Sequence, residues 1–299
     1  MRIRATVAVA SGALALSALA VPAAQAGQSH GERPALTLPT GAWLGDAAGK
    51  AAPSTAQNRS LAAAKAAAAD PKVTKVVVNG GKPIVLGTSA TKKVSVAITA
   101  TDDSGIGGAA AVLWTGGSSI EDDSSYGFGL EDDTELKCKA ASATTSTCTH
   151  TITVDPKVLY NTDAKTWNVY AVAVGNDESM TEKEKAGTVK FQRLSQLTVA
   201  ATPKPVKKGK TLTVTGKLSR ANWDTGKYAG YTVQPVKLQF RKSGTETYTT
   251  IKTVKTSNTG TLSTTTTKTT AEGYWRWSFA GTSTTPAVNA AGTLVKIKK

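Results

Sequence analysis

Catalytic side chains are scarce in this sequence. The 299 residues include two histidines and two cysteines. No G-x-S-x-G, H-E-x-x-H, C-x-x-C or phosphate-loop pattern occurs, which excludes the common hydrolase, metalloprotease, thiol-redox and nucleotide-binding signatures. His30 falls in an Ala/Pro/Gly-rich stretch, and His150 falls beside Cys148; a Ser-His-Asp triad would have to be built on a strand next to a cross-link. A carboxylate pair remains the one hydrolytic arrangement the composition permits. Long apolar runs are also missing after the first 21 residues, so nothing downstream reaches the roughly 20 apolar residues of a bilayer span. No nucleic-acid recognition motif is present. The sequence therefore reads as that of a non-enzyme.

Acids are nearly absent from the last third. Residues 194–299 hold 17 Lys and Arg against Asp224, Glu246 and Glu272, a net of +14 out of a total of +15. Residues 70–193 hold 13 bases against 16 acids. Asymmetry of this kind describes surfaces and partners rather than fold.

The N-terminus reads as an export leader. Met1-Arg2-Ile3-Arg4 is a basic start, Ala5 to Val21 is weakly apolar, and Ala24-Gln25-Ala26 is a small-x-small cleavage signal, so the mature chain is expected to start at Gly27. No cysteine follows to carry a lipid. Residues 27–69, biased toward Ala, Pro, Gly and Ser, are expected to be a disordered tether because they bury too little to offset chain entropy. Export also makes Cys138 and Cys148 a disulfide. The segments 135–138 and 148–151 flank a polar stretch, so the expected cross-link staples a hairpin near its turn.

From Pro71 onward apolar residues alternate. Val94, Val96, Ile98 and Ala100 do so, as do Trp167, Val169, Ala171 and Ala173; Gly, Asn, Asp and Ser clusters separate such runs, without a helical pattern between them. About eight strands before residue 193 and seven after it predict an all-β chain of two tandem immunoglobulin-like β-sandwiches, over 70–193 and 194–299. Phe191-Gln192-Arg193-Leu194, at the boundary, lacks Gly and Pro, which predicts a stiff junction. Trp275, Trp277 and Phe279 share a strand face and are read as core of the second module.

Two segments carry a family resemblance. Thr99-Ala100-Thr101-Asp102-Asp103-Ser104-Gly105-Ile106 resembles the strand-to-loop segment of bacterial Ig-like domains in secreted actinobacterial proteins. Gly273-Tyr274-Trp275-Arg276-Trp277-Ser278-Phe279-Ala280-Gly281-Thr282 resembles the penultimate strand of a recurring C-terminal Ig-like repeat of the same group. The resemblance covers 70–299 and implies an exported, streptomycete-like protein of unknown function, some relatives of which are labelled calcium-binding.

Two site expectations follow. Asp102 and Asp103 end one core strand, and Asn176, Asp177 and Glu178 end another; in an Ig-like sandwich those loops share a pole, and their hard oxygens would suit Ca²⁺. An EF-hand reading from Asp122 fits poorly. In the second module, Lys204, Lys207, Lys208 and Lys210, with Lys296 and Lys298 of the tail, are the expected contacts for an anionic cell-wall or extracellular polymer, since lysine suits diffuse attraction. The long run 115–135, with seven acids, is read either as a functional loop or as one that docks on the basic module. The whole is read as a secreted, monomeric, cell-wall-associated or extracellular binding protein; the alternative is a structural matrix protein that self-associates through its acidic and basic faces.

Overall fold

Val94, Val96, Ile98 and Ala100 all point inward from one ten-residue strand, and none has exposed surface. Removing a Val or Ile side chain from water contributes roughly 1.5–3 kcal/mol, so this alternation fixes which face the strand presents to the core. The computed structural model describes residues 31–33, 36, 38, 69–130 and 135–298. The expected leader, most of the expected tether and Glu131, Asp132 and Asp133 lie outside the described residues.

The chain is all-β, and the two modules are sandwiches. The first is built from β1 (Lys72–Val78), β2 (Ile84–Leu86), β3 (Lys92–Thr101), β4 (Ile106–Thr115), β5 (Tyr126–Phe128), β6 (Lys137–Ala140), β7 (Thr145–Val154), β8 (Thr166–Gly175) and β9 (Met180–Arg193). One sheet runs β1-β3-β7-β6 and the other β2-β9-β8-β4-β5. The pairing is not wholly antiparallel: β2 runs parallel to β9, Ile84 opposite Phe191. Between the sheets Trp167 stacks on Phe191 at 4.2 Å, with Phe128 at 5.7 Å and the edge of Tyr126 at 5.7 Å. The disulfide joins Cys138 and Cys148, which face each other directly across the β6–β7 hairpin.

In the second module β13 (Leu212–Asn222) pairs with β10 (Ser195–Leu197), β11 (Ala200–Thr202), β14 (Lys227–Gly230) and β17 (Thr261–Thr266). The facing sheet runs β16 (Thr249–Lys255), β15 (Pro235–Lys242), β18 (Gly273–Phe279) and β19 (Val288–Asn289), with β20 (Thr293–Val295) also on β18. The short strands β12 (Val206–Lys207) and β21 (Ile297–Lys298) pair in parallel. Trp275, Trp277 and Phe279 are buried, and the Trp277 indole donates across the core to the Thr215 carbonyl at 3.0 Å. Tyr274, on the other face of that strand, lies under Arg241 at 4.4 Å.

Only Leu194 separates β9 from β10, and both sides of it are bonded: its N–H donates to Leu86 O at 2.8 Å, and its carbonyl accepts from Ala221 at 2.8 Å. Trp223, from the end of β13, is 2 % exposed and joins the core of the first module, its indole N–H donating to Gly87 O at 2.8 Å. Arg193 is buried beside it, with Nε donating to Ala221 O at 2.8 Å. Burial, and then Arg220 nearby, lowers the Arg193 pKa to about 10, which leaves it charged at neutral pH.

Both faces of β4 are buried. Ala109, Ala111 and Leu113 face the sandwich core, while Ala110, Val112 and Trp114 belong to a second apolar layer on the outside of the sheet with Tyr170 and Val172 of β8. Ile120, Leu130 and Leu136, from the long 115–135 connection and its end, cover that layer. The acidic run is therefore in part the lid of an apolar surface. Among the described residues three ion pairs occur, Arg33–Asp163, Lys137–Glu135 and Arg241–Glu246, and none joins the run to the second module.

Candidate metal centre and basic pole

The β3–β4 and β8–β9 loops meet at the end of the first sandwich away from the junction, since β9 runs from Met180 at that end to Arg193 at the joint. Two links lock them. The Asn176 N–H donates to Gly105 O at 3.0 Å, and its side-chain amide donates to Ser104 O at 2.8 Å. Gly105 has φ of 87°, and a Cβ there would lie 2.7 Å from the Asn176 amide nitrogen, so the close approach of the loops requires glycine.

Each loop repeats one local device, Asp-x-Ser. Oδ1 of Asp102 accepts from the Ser104 N–H at 2.8 Å and from its hydroxyl; Oδ1 of Asp177 accepts from the Ser179 N–H at 3.0 Å and from its hydroxyl. The Ser104 hydroxyl also accepts the Asp177 N–H at 3.2 Å. These bonds use up one oxygen of each carboxylate and fix its rotamer. The other oxygens, Asp102 Oδ2 and Asp177 Oδ2, are buried and have no hydrogen-bond partner. Asp102 as a whole is 5 % exposed. Ser179, by side chain and then backbone, holds the Asp177 carboxyl below its ordinary pKa.

One carboxylate oxygen from each of Asp102, Asp103 and Asp177 lies within 4.8 Å of the other two. Calcium–oxygen distances of roughly 2.3–2.6 Å put oxygens on opposite sides of one ion about 5 Å apart, so the three fit around a single cation. Gly175 makes room: a Cβ on it would sit 2.7 Å from Asp177 Oδ1 and 2.9 Å from Asp102 Oδ1. Of the expected five residues, the structure brings these three together. Asn176 spends its amide as the clamp between loops, and Glu178, exposed with φ of 67°, stays out of the cluster. Sequence reasoning passed over Ser104, Ser179 and Gly175, although the Asp-x-Ser repeat was readable; it recurs at Asp122–Ser124, where Ser124, through its hydroxyl first, draws the Asp122 pKa to about 2.

The six expected lysines converge at the far end of the second sandwich. Lys207 pairs with Lys298 in the β12–β21 ladder, and Val206 donates to Lys296 O at 3.0 Å. Lys204 Nζ donates to Thr293 Oγ1 at 2.9 Å. Lys204, Lys207, Lys208, Lys210, Lys296 and Lys298 are all exposed. The arginines of this module behave differently: Arg220 stacks on Tyr231 at 3.8 Å, Arg276 on Tyr248 at 3.7 Å and Arg241 on Tyr274.

Among the described residues no helix is long and apolar enough to cross a membrane. Residues 86–173 match a family model described as a family of unknown function (DUF5707), a stretch that includes Asp102 and Asp103 and ends before Asp177. No curated protein matches the chain. Similar solved structures include the full ectodomain (Ig1–Ig3) of mouse nectin-like molecule 4, at 12 % identity and TM-score 0.25, covering 77 % of this chain and 66 % of that one. Domains A168–A170 of titin are 11 % identical with TM-score 0.24, covering 77 % and 66 %. The Yersinia pseudotuberculosis adhesin InvE is 15 % identical with TM-score 0.24, covering 76 % and 60 %. The chain thus spans a little under two-thirds of each of these proteins, and the likeness is one of fold.

Proposed function

We propose that this is a non-catalytic extracellular binding protein whose first sandwich holds a calcium ion between Asp102, Asp103 and Asp177. The observation that carries this reading is the pair of buried, unpartnered oxygens, Asp102 Oδ2 and Asp177 Oδ2, on two of three carboxylates that each bring an oxygen within 4.8 Å of the others. Leaving them bare costs free energy through lost hydration and like-charge repulsion, and a hard dication relieves both. Calcium rather than a transition metal follows from the all-oxygen set and from the irregular, loop-borne geometry. Secretion rests on the N-terminal 26 residues and the disulfide, and attachment to an anionic polymer on the lysine pole.

The test is thermal unfolding of the full chain with millimolar Ca²⁺ and then with chelator. A ligand at a hundred times its Kd stabilises by about 2.7 kcal/mol, so a rise in Tm reversed by chelator is expected, and it should vanish in Asp102→Asn and Asp177→Asn. An unchanged Tm together with no calorimetric heat on Ca²⁺ titration would remove the reading.

One observation favours the second reading, a self-associating matrix protein: the acidic cluster and the lysine cluster lie at the two ends farthest from the junction, an arrangement suited to head-to-tail contact. Light scattering at low salt separates the two, because growth in mass with concentration belongs to the matrix protein and a constant monomer mass does not.

A further inference from the structure

The second apolar layer has an additional occupant from far away in sequence. Leu36 and Leu38 pack against Ala110, Val112, Trp114 and Tyr170 on the outer face of β4 and β8. Gly127 of β5 gives Leu36 its place, for a Cβ there would lie 2.7 Å from Leu36 Cδ2. Arg33 anchors the other end of the segment. Its guanidinium lies 3.8 Å from the centre of the Tyr126 ring and 4.8 Å from that of Tyr160, and its NH2 reaches Asp163 Oδ2 at 3.5 Å.

Asp163 makes this anchor more than an incidental contact. It is 1 % exposed, accepts from the Tyr126 hydroxyl and from the Tyr160 N–H at 2.8 Å, and has Arg33 as its one cationic partner among the described residues. The Tyr126 hydroxyl and the Tyr160 N–H offset most of the cost of burying this side chain, and Arg33 adds a cation from 130 residues away. Yet the contacts that Arg33, Leu36 and Leu38 make here are side-chain contacts. No main-chain hydrogen bond ties it to the sheet among the described residues, Arg33 keeps 35 % of its side-chain surface, and Leu36 and Leu38 are half-buried. Thirty residues, 39–68, separate it from the first described residue before β1, a contour of about 100 Å. That reach allows the segment to seat on its own sandwich or on a neighbour's.

We propose that the outer face of the β4–β8 sheet, with the Tyr126–Tyr160–Asp163 slot, is a peptide-docking site. It recognises an arginine followed at the third and fifth positions by leucine. The chain's own Arg33, Leu36 and Leu38 fill it reversibly, and the same segment of a second copy can replace them. The site is separate from the cation-binding end, so the two readings stand or fall independently.

The test uses the full-length chain carrying Leu36→Asp and Leu38→Asp, which loses the apolar half of its own occupant and keeps Arg33. A fluorescent synthetic peptide of residues 29–40 is titrated against it and against the unaltered chain, with anisotropy as the readout. Saturable binding to the altered chain is expected, with an apparent affinity at least tenfold weaker on the unaltered one, where the tethered segment competes at an effective concentration near millimolar. Arg33→Gln alone, which leaves the apolar contacts in place, should expose the site to an intermediate degree and guards against a folding defect in the double variant. No saturable binding to either altered chain, or equal binding to altered and unaltered chains, overturns the proposal. Adding Tyr160→Ala to the double variant removes one wall of the arginine slot and should weaken the peptide at least threefold; unchanged affinity would mean that the peptide sits elsewhere, and the proposal fails.

Discussion

The two sandwiches handle charge in opposite ways. The second carries a net of +14, yet among the described residues its buried polar residues after Leu194 are only Ser195, Thr256, Thr269 and Thr285. The first is close to neutral overall and buries Asp102, His150 and Asp163, with Arg193 at its boundary. Among the described residues, all four buried side-chain atoms without a hydrogen-bond partner, on Asp102, His150, Tyr170 and Asp177, belong to the first. Net charge thus marks the module with the more solvated surface, while the buried polar atoms left without a partner sit in the module that is close to neutral. The difference predicts that pH and cations act on the first sandwich and salt acts on the second.

The largest expected break between them is acid sensitivity through His150. This residue is 4 % exposed, its Nε2 accepts from the Ala111 N–H at 3.1 Å, and its Nδ1 has no partner. Burial draws its pKa from 6.5 down to about 4. Above pH 6.5 the ring is neutral folded or unfolded, and its contribution is intact. As pH falls toward 4 only the unfolded chain takes the proton, so stability declines by about 3 kcal/mol across that window. Below it the Asp177 carboxyl of the unfolded chain takes up its proton first, because Ser179 holds that pKa down in the fold, and this adds to the loss. Tm measured from pH 7 to 4 should therefore fall for the unaltered chain and fall less steeply for His150→Gln. Identical slopes would show that His150 is not the acid-sensitive group.

Next in size is the disulfide. Its loop spans a sequence separation of 10, so cross-linking restricts the unfolded chain by about 3 kcal/mol at most. Cys138→Ser combined with Cys148→Ala should lower the unfolding transition of the first sandwich and leave that of the second in place. A shift in both transitions together would mean that Trp223 and the bonds around Leu194 make the two cores one cooperative unit.

A smaller, more local effect is expected at Gly175. Its Cβ would crowd oxygens of both Asp102 and Asp177, so Gly175→Ala should abolish the Tm response to Ca²⁺ while costing about 1–3 kcal/mol, the range for mild overpacking. A preserved Ca²⁺ response would place the ion away from these carboxylates.

Much of this architecture was legible because period-two alternation survives wherever one face is buried: Trp167 to Ala173 and Gly273 to Phe279 read as strands and are strands. The outer apolar layer was not seen, although Ala109 to Trp114 is a continuous apolar run, and such a run signals a strand buried on both faces. β5 is only Tyr126–Phe128, too short for periodicity to register. Arg33 was lost in an Ala/Pro-rich stretch because its partner, Asp163, lies 130 residues on, and composition is blind to pairs at that range. At the acidic end the spacing grouped Asn176, Asp177 and Glu178 as neighbours. Chain direction divides them: the left-handed turn at Glu178 sends that residue outward, while Ser179 holds Asp177 inward.

The smallest expected effect on stability is at the lysine pole, where the comparison is sharpest. Lys207 and Lys208 are exposed and paired with no acid among the described residues, so Lys207→Ala with Lys208→Ala should change stability by no more than about 0.5 kcal/mol. Removing two like charges from a crowded end should, if anything, stabilise it slightly. Their loss should nevertheless lower the salt concentration at which the protein elutes from an immobilised anionic polymer, because that attraction is the sum of many screened charges. A matched pair of substitutions on the opposite end, Asp102→Asn with Asp177→Asn, should leave that elution point unchanged while removing the Ca²⁺ response. If the lysine variant elutes where the unaltered chain does, the stacked arginines Arg241 and Arg276 become the cations to substitute next.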